Sequence, residues 1–558
     1  MPVAGSRTIQ KGLRGQEATG NRRRPSLSPV QPGPADVSTH TTIGAVAVTP
    51  HHLATDTAVR VMADGGSAAD ALVAANAVLG MVLPTTCGIG GDLFAMVHRP
   101  GMDRPDVLNA SGRAGEGVDA SRLRAAGHTT LDLRSADTVT VPGCVDGWEA
   151  LLARHGTRPL ADLLAPAIAL GEDGFEVSAE LSSDLGRIEG FVAHQAGAAS
   201  LYPDGSVPAP GETITRRDLA ATLSGIAGDG RDAFYRGPIG AAITKATDGI
   251  ISADDLATNH PDWVEAIGAR VFGLDGWTVP PNSQGYLTIA AALLLEALDP
   301  PNDPEDPAFH HAVIEAYRAV AWERDDLVAD PDHAPLDAAA LLDPQRILDR
   351  LSRLSADGVT PWPAPHPAPG GTAYFCAVDA DGMAVSMIQS NFTGIGSGIV
   401  AGTTGVFLHN RGAGFNLRPG HPNELAPGKR PLHTLSPTLW TRDGSPAMVL
   451  GTRGGHQQPQ YLAQMVARLL IGGMGVREAQ AAPRWHADAI DPLGSAIAIE
   501  VGMPEGVMVG LVERGHTVDR RPDAPAGWGP ISIVTIDETG TRRAAADPRV
   551  STAGADGD

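Results

Sequence analysis

The stretch Pro361–Ser390 reads PWPAPHPAPG, GTAYFCAVDA, DGMAVSMIQS, and it decides the fold. Thr372, Tyr374, Cys376 and Val378 alternate with Ala373, Phe375, Ala377 and Asp379, which is the two-residue period of a strand. Asp381-Gly382 reads as a hairpin turn, and Met383–Ser390 as the strand that returns from it. The proline-dense segment before Gly370-Gly371 has few N–H groups to give to a ladder, so an exposed, irregular loop is expected there. Thr372 then opens the strand with a hydroxyl. Were the Gly371–Thr372 bond cut, that residue would carry its own amine as a local base beside a nucleophile. Taken alone, Gly-Gly-Thr is equally an ordinary strand start, because Thr favours strands on steric grounds.

Lys plus Arg number 42 against 64 Asp plus Glu, a formal charge of −22. A surface of that sign repels phosphate backbones and anionic lipid, so neither nucleic acid nor a membrane is expected as a partner. The three cysteines, Cys87, Cys144 and Cys376, are scattered and odd in number, so they suggest neither a disulfide framework nor a metal site. The 18 histidines include no HExxH-type spacing, and the adjacent pair His310-His311 reads as structural. No metal and no cofactor is expected. Residues 1–41 are polar, proline-bearing and lack an apolar leader core, which reads as a disordered tail. No run of about 18 uninterrupted apolar residues exists, and a cytoplasmic protein is expected.

Along the chain, Ile43–Thr49 reads as a first strand and Leu53–Ala63 as a helix. Ser67 stands three residues before Asp70, a capping-box spacing, ahead of an Ala-rich helix over 68–82 that has almost no polar face. The glycines of CGIGGDLFAMVH (Cys87–His98) lead into a strand, and no Lys-Ser/Thr follows. That excludes a phosphate loop and suggests a buried turn where backbones touch. Thr138–Gly147 is expected to join a strand to a helix over 148–155, Ala266–Val279 to form a hairpin, and Tyr286–Leu298 an apolar helix. The Pro-, Asp- and Ala-rich segment 330–369 has the composition of a linker. Strands cluster toward both ends of the chain with helices between. That pattern suits two sheets covered by helices in one interlaced unit, an α+β arrangement.

Taken in order, the blocks HHLATDTAVRVMADGGSAADALVAANAVLGMV (51–82), CGIGGDLF (87–94), TVPGCVDGWEALLARHG (140–156), GGTAYFCAVDADGMAV (370–385), GSGIVAGTTGVFLHN (396–410), PGKRPLHTLSPT (427–438), GTRGG (451–455) and ADPR (546–549) resemble the γ-glutamyltransferase family and its cephalosporin-acylase-like branch. The resemblance implies a four-layer αββα N-terminal-nucleophile hydrolase, made as a precursor that cuts itself at Gly371–Thr372. Residues 42–371 would then form a large subunit, and 372–558 a small one interlaced with it in a single domain. Thr372 would be the nucleophile, and Ser390 the hydroxyl set against it where the family has Thr. Gly454 and Gly455 would supply the oxyanion-hole N–H groups. An acyl group would pass from a small-molecule amide to Thr372, then to water or an amine.

The departures from the family pattern concern the acyl group. Ser111 aligns with the Arg that clamps the α-carboxylate in glutathione-cleaving members, and Arg113 lies two residues on as a possible replacement. Gly414 stands where those members hold the substrate amine with an acid, and Arg411 where they have Gln. Phe392 aligns with their Asn, with Asn391 adjacent, and His433-Thr434 replace a pair of serines. A γ-glutamyl or glutaryl-like acyl group is expected, with the balance moved toward an anionic group beside Arg411. Two alternatives stay open on sequence: a homologue that breaks a C–C bond in a natural-product pathway, and an inactive binding protein of the same fold.

Overall fold

The computed structural model describes residues 38–362, 371–487, 496–521 and 525–558. Most of the expected N-terminal tail and of the proline-dense loop lies outside them.

Two seven-stranded antiparallel sheets face each other. One runs Gly554–Gly557, Val46–Thr49, Gly371–Val378, Ala384–Phe392, Asp92–His98, Asp106–Ala110, Asp262–Glu265. The other runs Thr39–Thr42, Arg542–Ala545, Ile531–Ile536, Ser445–Thr452, Thr438–Arg442, Leu274–Thr278, Ile267–Val271. The hairpin at the centre of the first sheet is the one its sequence specifies: Ala373 to Val378 pair with Gln389 back to Ala384.

Strand alternation sorts these side chains into layers. Tyr374, Cys376, Val378, Ala384 and Ile388 point into the core between the sheets, against Leu439, Val449 and Val534 of the other sheet. Ala373, Phe375, Ala377, Val385 and Met387 point the opposite way, into a core built on the helix Ala68–Val82. On the far side, Trp440, Leu450 and Ile533 pack under the helices Tyr286–Leu298, Pro307–Ala321 and Gln458–Leu470. The outer face of each sheet is thus covered by helices, which gives the αββα sandwich.

The capping box forms as its spacing predicts: Ser67 Oγ accepts from Asp70 N at 3.2 Å and Asp70 Oδ2 from Ser67 N at 2.8 Å. All fifteen residues of the helix behind it are buried, as a helix with no polar face requires.

Four expectations differ from the structure. The first strand starts at Val46, and a further strand, Thr39–Thr42, claims the end of what reads as tail. The segment 138–143 makes only a single bridge, Ala114 with Thr140, because Pro142 has no N–H to extend a ladder. The helix after it begins at Cys144, not Trp148. The described part of the linker-like segment is no linker: Ala338–Leu342 and Pro344–Leu351 bury Leu341, Leu342 and Ile347, and Trp362 joins the same core. Alanine and proline lower its apparent hydrophobicity while a few large side chains anchor it.

The sheets approach closely where Gly451 faces Tyr374. A methyl group at Gly451 would lie 2.2 Å from the Tyr374 ring, and Tyr374 is itself tied to Ser386 through their hydroxyls at 2.9 Å. Gly451→Ala is therefore expected to destabilise by about 1–3 kcal/mol, the usual cost of overpacking, read as a lowered midpoint in denaturant unfolding. An unchanged midpoint would show that the gap between the sheets yields freely.

Candidate active site

Thr372 stands at the start of its strand, on the face that looks between the sheets, and Ser390 shares that face on the neighbouring strand. The ladder shifts register here: Gly371 pairs with Phe392 and Ala373 with Gln389, so Thr372 alone opposes Ser390 and Asn391, and the extra residue of the bulge lies on the Ser390 strand. The Thr372 hydroxyl donates to Ser390 Oγ at 3.2 Å, and Ser390 Oγ also accepts from the Phe392 N–H at 2.8 Å. Both hydroxyls are buried.

Phe392 takes φ 72°, a left-handed conformation uncommon for a bulky residue. The Arg411 guanidinium carbon lies 3.6 Å over its ring. Arg411 Nη1 donates to Thr434 Oγ1 at 3.2 Å. Burial pushes the Arg411 pKa down to about 9, the Asp92 charge resisting and Arg324 adding to the fall. A methyl group at Gly414 would sit 2.5 Å from Arg411 Nη2, so the guanidinium fills the space that a side chain there would claim.

The Gly454-Gly455 turn is reached from the same point. Gln284 Nε2 donates to the carbonyls of Thr434 (3.2 Å) and Gly455 (3.1 Å), and Gln284 Oε1 accepts from Arg324 Nη1 at 2.9 Å. Gly454 and Gly455 both take positive φ, 129° and 56°, which an L side chain resists. Gln457 N–H holds the Gly454 carbonyl at 3.0 Å. That fixes the peptide plane whose opposite edge carries the Gly455 N–H. Arg453, one residue before, lines a narrow cleft together with Thr372 and Tyr374.

Asp92 is the residue that sequence reading missed. It sits opposite Ser390 in the ladder and is fully buried. Its Oδ1 accepts from Gly112 N–H at 2.9 Å and its Oδ2 from His433 Nε2 at 3.1 Å, with His409 Nδ1 at 3.6 Å. Burial would raise its pKa, but His409, His433 and the Gly112 N–H together hold it below the usual carboxylate range. Burial pushes His433 down to about 4, so it is neutral at pH 7. Its Nε2 then carries the proton toward Asp92, and Nδ1 accepts from Leu435 N–H at 3.3 Å. The signal that was present is an acid placed directly after a glycine run at a strand start. Gln284 and Arg324 left no local signal, since each belongs to a segment that reads as ordinary loop or helix.

Three of the expected substrate contacts are placed elsewhere. Asn391, one residue past Ser390, faces the opposite side of the sheet, and its Nδ2 donates to the Pro84 carbonyl at 3.3 Å. Ser111 Oγ donates to Asn109 Oδ1 at 2.7 Å and accepts from Asn282 Nδ2 at 3.2 Å, in a wholly buried polar knot. Arg113 is paired with Asp330 at 3.2 Å and Asp262 at 3.6 Å and donates to the Gly428 carbonyl at 3.1 Å. Two carboxylates already claim the cation that sequence offers as a carboxylate clamp. His433, Thr434, Phe392, Arg411 and Gly414 do converge with Ser390.

Among the described residues no group of three His, Cys, Asp or Glu side chains is arranged to hold a metal ion. No helix among them is long and apolar enough to cross a membrane. The three cysteines are free and buried.

A four-layer αββα sandwich with a hydroxyl residue at the start of a central strand defines the N-terminal-nucleophile hydrolase class. Within it, residues 54–556 match the family model described as Gamma-glutamyltranspeptidase. The chain is 33% identical over 512 residues to the glutathione hydrolase-like YwrD proenzyme of Bacillus subtilis, covering 90% of this chain and 96% of that one. It is 33% identical over 533 residues to the oxamate amidohydrolase proenzyme of Klebsiella pneumoniae, covering 93% and 99%. The crystal structure of cephalosporin acylase from Bacillus halodurans superposes with a TM-score of 0.87 at 29% identity, over 96% of this chain and 99% of that one. The chain belongs to the γ-glutamyltranspeptidase family, in its acylase-like branch, and is an enzyme.

Buried imidazoles make its stability depend on pH. Burial pushes His155, His310 and His433 down to about 4, and His51 and His516 to about 3. Unfolded, each titrates near 6.5. Between roughly pH 6.5 and 4 the unfolded chain binds protons that the folded one refuses, so stability falls as pH falls through that window. Asp146, which burial pushes up to about 6, and Asp184 and Asp379, which burial also raises, work in the opposite direction, but burial lowers more imidazoles than it raises carboxylates, His98, His260, His311 and His456 being lowered as well. The urea midpoint is expected to be lower at pH 5 than at pH 7.5, with a smaller difference in His433→Gln. An equal or higher midpoint at pH 5 would contradict this.

Proposed function

We propose that Thr372 is the nucleophile of a self-processed amidohydrolase or acyltransferase. The single observation that carries this reading is the buried Thr372–Ser390 hydrogen bond of 3.2 Å, formed opposite a bulge of the neighbouring strand, at the strand start where a freed N-terminus would lie. In the precursor, Thr372 Oγ attacks the Gly371 carbonyl carbon. The peptide C–N bond breaks, the nitrogen leaves as the Thr372 amine, and an ester joins Gly371 to Oγ. Water then hydrolyses the ester, giving a Gly371 carboxylate and a Thr372 that bears both hydroxyl and amine.

In turnover the amine, with an ordinary pKa of about 7.7–8.0, takes the hydroxyl proton as Oγ attacks the amide carbon. The oxyanion is received by the N–H groups of Gly454 and Gly455. Losing one such donor typically costs about 2.7–4 kcal/mol of transition-state stabilisation. Collapse expels the amine, protonated by the same base, and leaves the acyl group on Thr372 for water or an acceptor amine. Relatives named as a proenzyme hydrolase, an amidohydrolase and an acylase favour an amide as substrate.

The pieces 42–371 and 372–558 stay together on this reading, because the ladders cross the cut. Val46–Thr49 pairs with Gly371–Val378, and Asp92–His98 with Ala384–Phe392. Separating the pieces would unzip both sheets.

Intact-mass analysis of the purified protein is expected to give two fragments, the smaller beginning at Thr372. Thr372→Ala is expected to give one uncut chain without amidase activity. Normal scission and turnover in that variant would remove the basis of the reading.

A further inference from the structure

Three side chains that take no part in the catalytic steps meet at the Gly454-Gly455 turn. The helices Tyr286–Leu298, Pro307–Ala321 and Gln458–Leu470 pack in one core. Gln284 lies just before the first, Arg324 just after the second, and His456 just before the third. Helix packing therefore fixes the loop ends from which the three side chains reach one another.

Arg324 is 4% exposed. Asp325 Oδ1 takes one edge of its guanidinium, accepting from Nε at 2.8 Å and from Nη2 at 2.6 Å. Nη1 serves two further acceptors, Gln284 Oε1 at 2.9 Å and His456 Nδ1. A guanidinium only donates, so His456 accepts through Nδ1 and is a neutral ring with its proton on Nε2. Gln284 is committed at both ends: its Nε2 donates to the Gly455 and Thr434 carbonyls at 3.1 and 3.2 Å. A flipped amide would set oxygen against two carbonyls and nitrogen against a guanidinium, so Arg324 fixes which end faces Gly455.

The turn itself has no side chains by which to be held. Its two glycines take φ of 129° and 56°, and their direction is set by what bonds to their carbonyls. The Gly454 carbonyl accepts from Gln457 N–H, and the Gly455 carbonyl from Gln458 N–H and Gln284 Nε2. The next side chain along, His456, is the one tied to Arg324.

We infer that Arg324 is a positioning residue: through Gln284 and His456, its Nη1 aims the Gly454-Gly455 N–H groups at the place where the oxyanion forms. This rests on Thr372 being the nucleophile and on those N–H groups receiving the oxyanion. The piece 42–371, which carries Arg324 and Gln284, then sets the geometry of a turn that belongs to 372–558. Nothing in this role requires Arg324 to touch the substrate. The N–H groups act on charge that develops only in the transition state, so a misaimed turn lowers kcat and leaves KM near its parent value.

The test uses the purified enzyme and glutaryl p-nitroanilide. Arg324→Met is expected to lower kcat by about ten- to a hundredfold with KM within about twofold, short of the roughly 10²–10³ that follows outright loss of an oxyanion-hole donor. Arg324→Lys should keep part of the rate, because an ammonium still donates to Gln284 or His456. Gln284→Glu matches the parent in shape and still accepts from Arg324, but has no donor for the Gly455 carbonyl, and should show the same loss in kcat. Amide hydrogen exchange of the peptide 453–460 needs no turnover and is expected about tenfold faster or more in Arg324→Met and Gln284→Glu, with the rest of the chain unchanged. A variant that stays uncut is compared with Thr372→Ala. Should Arg324→Met fail to fold, Arg324→Lys and Gln284→Glu decide. Parent kcat and parent exchange in the variants, or a loss that falls on KM, overturn the inference and leave the nucleophile in place. Where the cut parent does not turn the anilide over, exchange alone decides. A parent chain that is neither cut nor active removes the nucleophile reading and this one with it.

Discussion

Two neighbouring antiparallel strands at the centre of one sheet place two hydroxyls on the same face, and the rest of the structure depends on that constraint. Side chains alternate with a period of two, so the pairing that sends Tyr374 and Ile388 between the sheets also sends Thr372 and Ser390 there. A slip of one residue would turn both hydroxyls into the helical layer. The buried apolar residues on both faces of this hairpin fix the register and so, indirectly, the approach of the two oxygens. The hydrogen bond between them follows from packing and does not drive it.

Around this pair the protein spends buried polarity unevenly. Asp92 is fully satisfied: one loop N–H and one imidazole bond to it, with a second imidazole close by. It therefore joins the 111–113 loop, the His433 segment and the Ser390 strand into one rigid body. Gln284 does the same for Thr434 and Gly455, with Arg324 holding its other end. Arg411, lodged in the same region, is less completely matched: its Nε and Nη2 have no hydrogen-bond partner among the described residues. A fully satisfied network rigidifies, whereas an unsatisfied buried group is costly unless something else completes it.

Several of the residues at which the sequence reading expects a departure from the family pattern meet in one place. The absence of a side chain at Gly414 leaves the room that Arg411 Nη2 occupies. The aromatic residue at 392 gives the guanidinium a face to lie on, and Thr434 gives it an acceptor. Ser111 lies in a polar knot with Asn109 and Asn282 that holds no charge. Arg113 is held by Asp262 and Asp330.

The sequence by itself determined the elements whose cause is local. Alternation from Thr372 to Val378 and the Asp381-Gly382 turn specify the central hairpin, Ser67 and Asp70 specify the start of the buried helix, and the order of blocks specifies the family. What only the tertiary structure decided are the pairings between residues far apart in the chain. Examples are Asp92 with His433 across 341 positions, Gln284 with Gly455 across 171, and the capture of Arg113 by Asp330 across 217. Asn391 also reads as a neighbour of the site and faces away from it, because adjacency along a strand means opposite faces of the sheet. Local periodicity is written in consecutive residues, whereas the partner of a buried charge is chosen by how sheets and loops close around it.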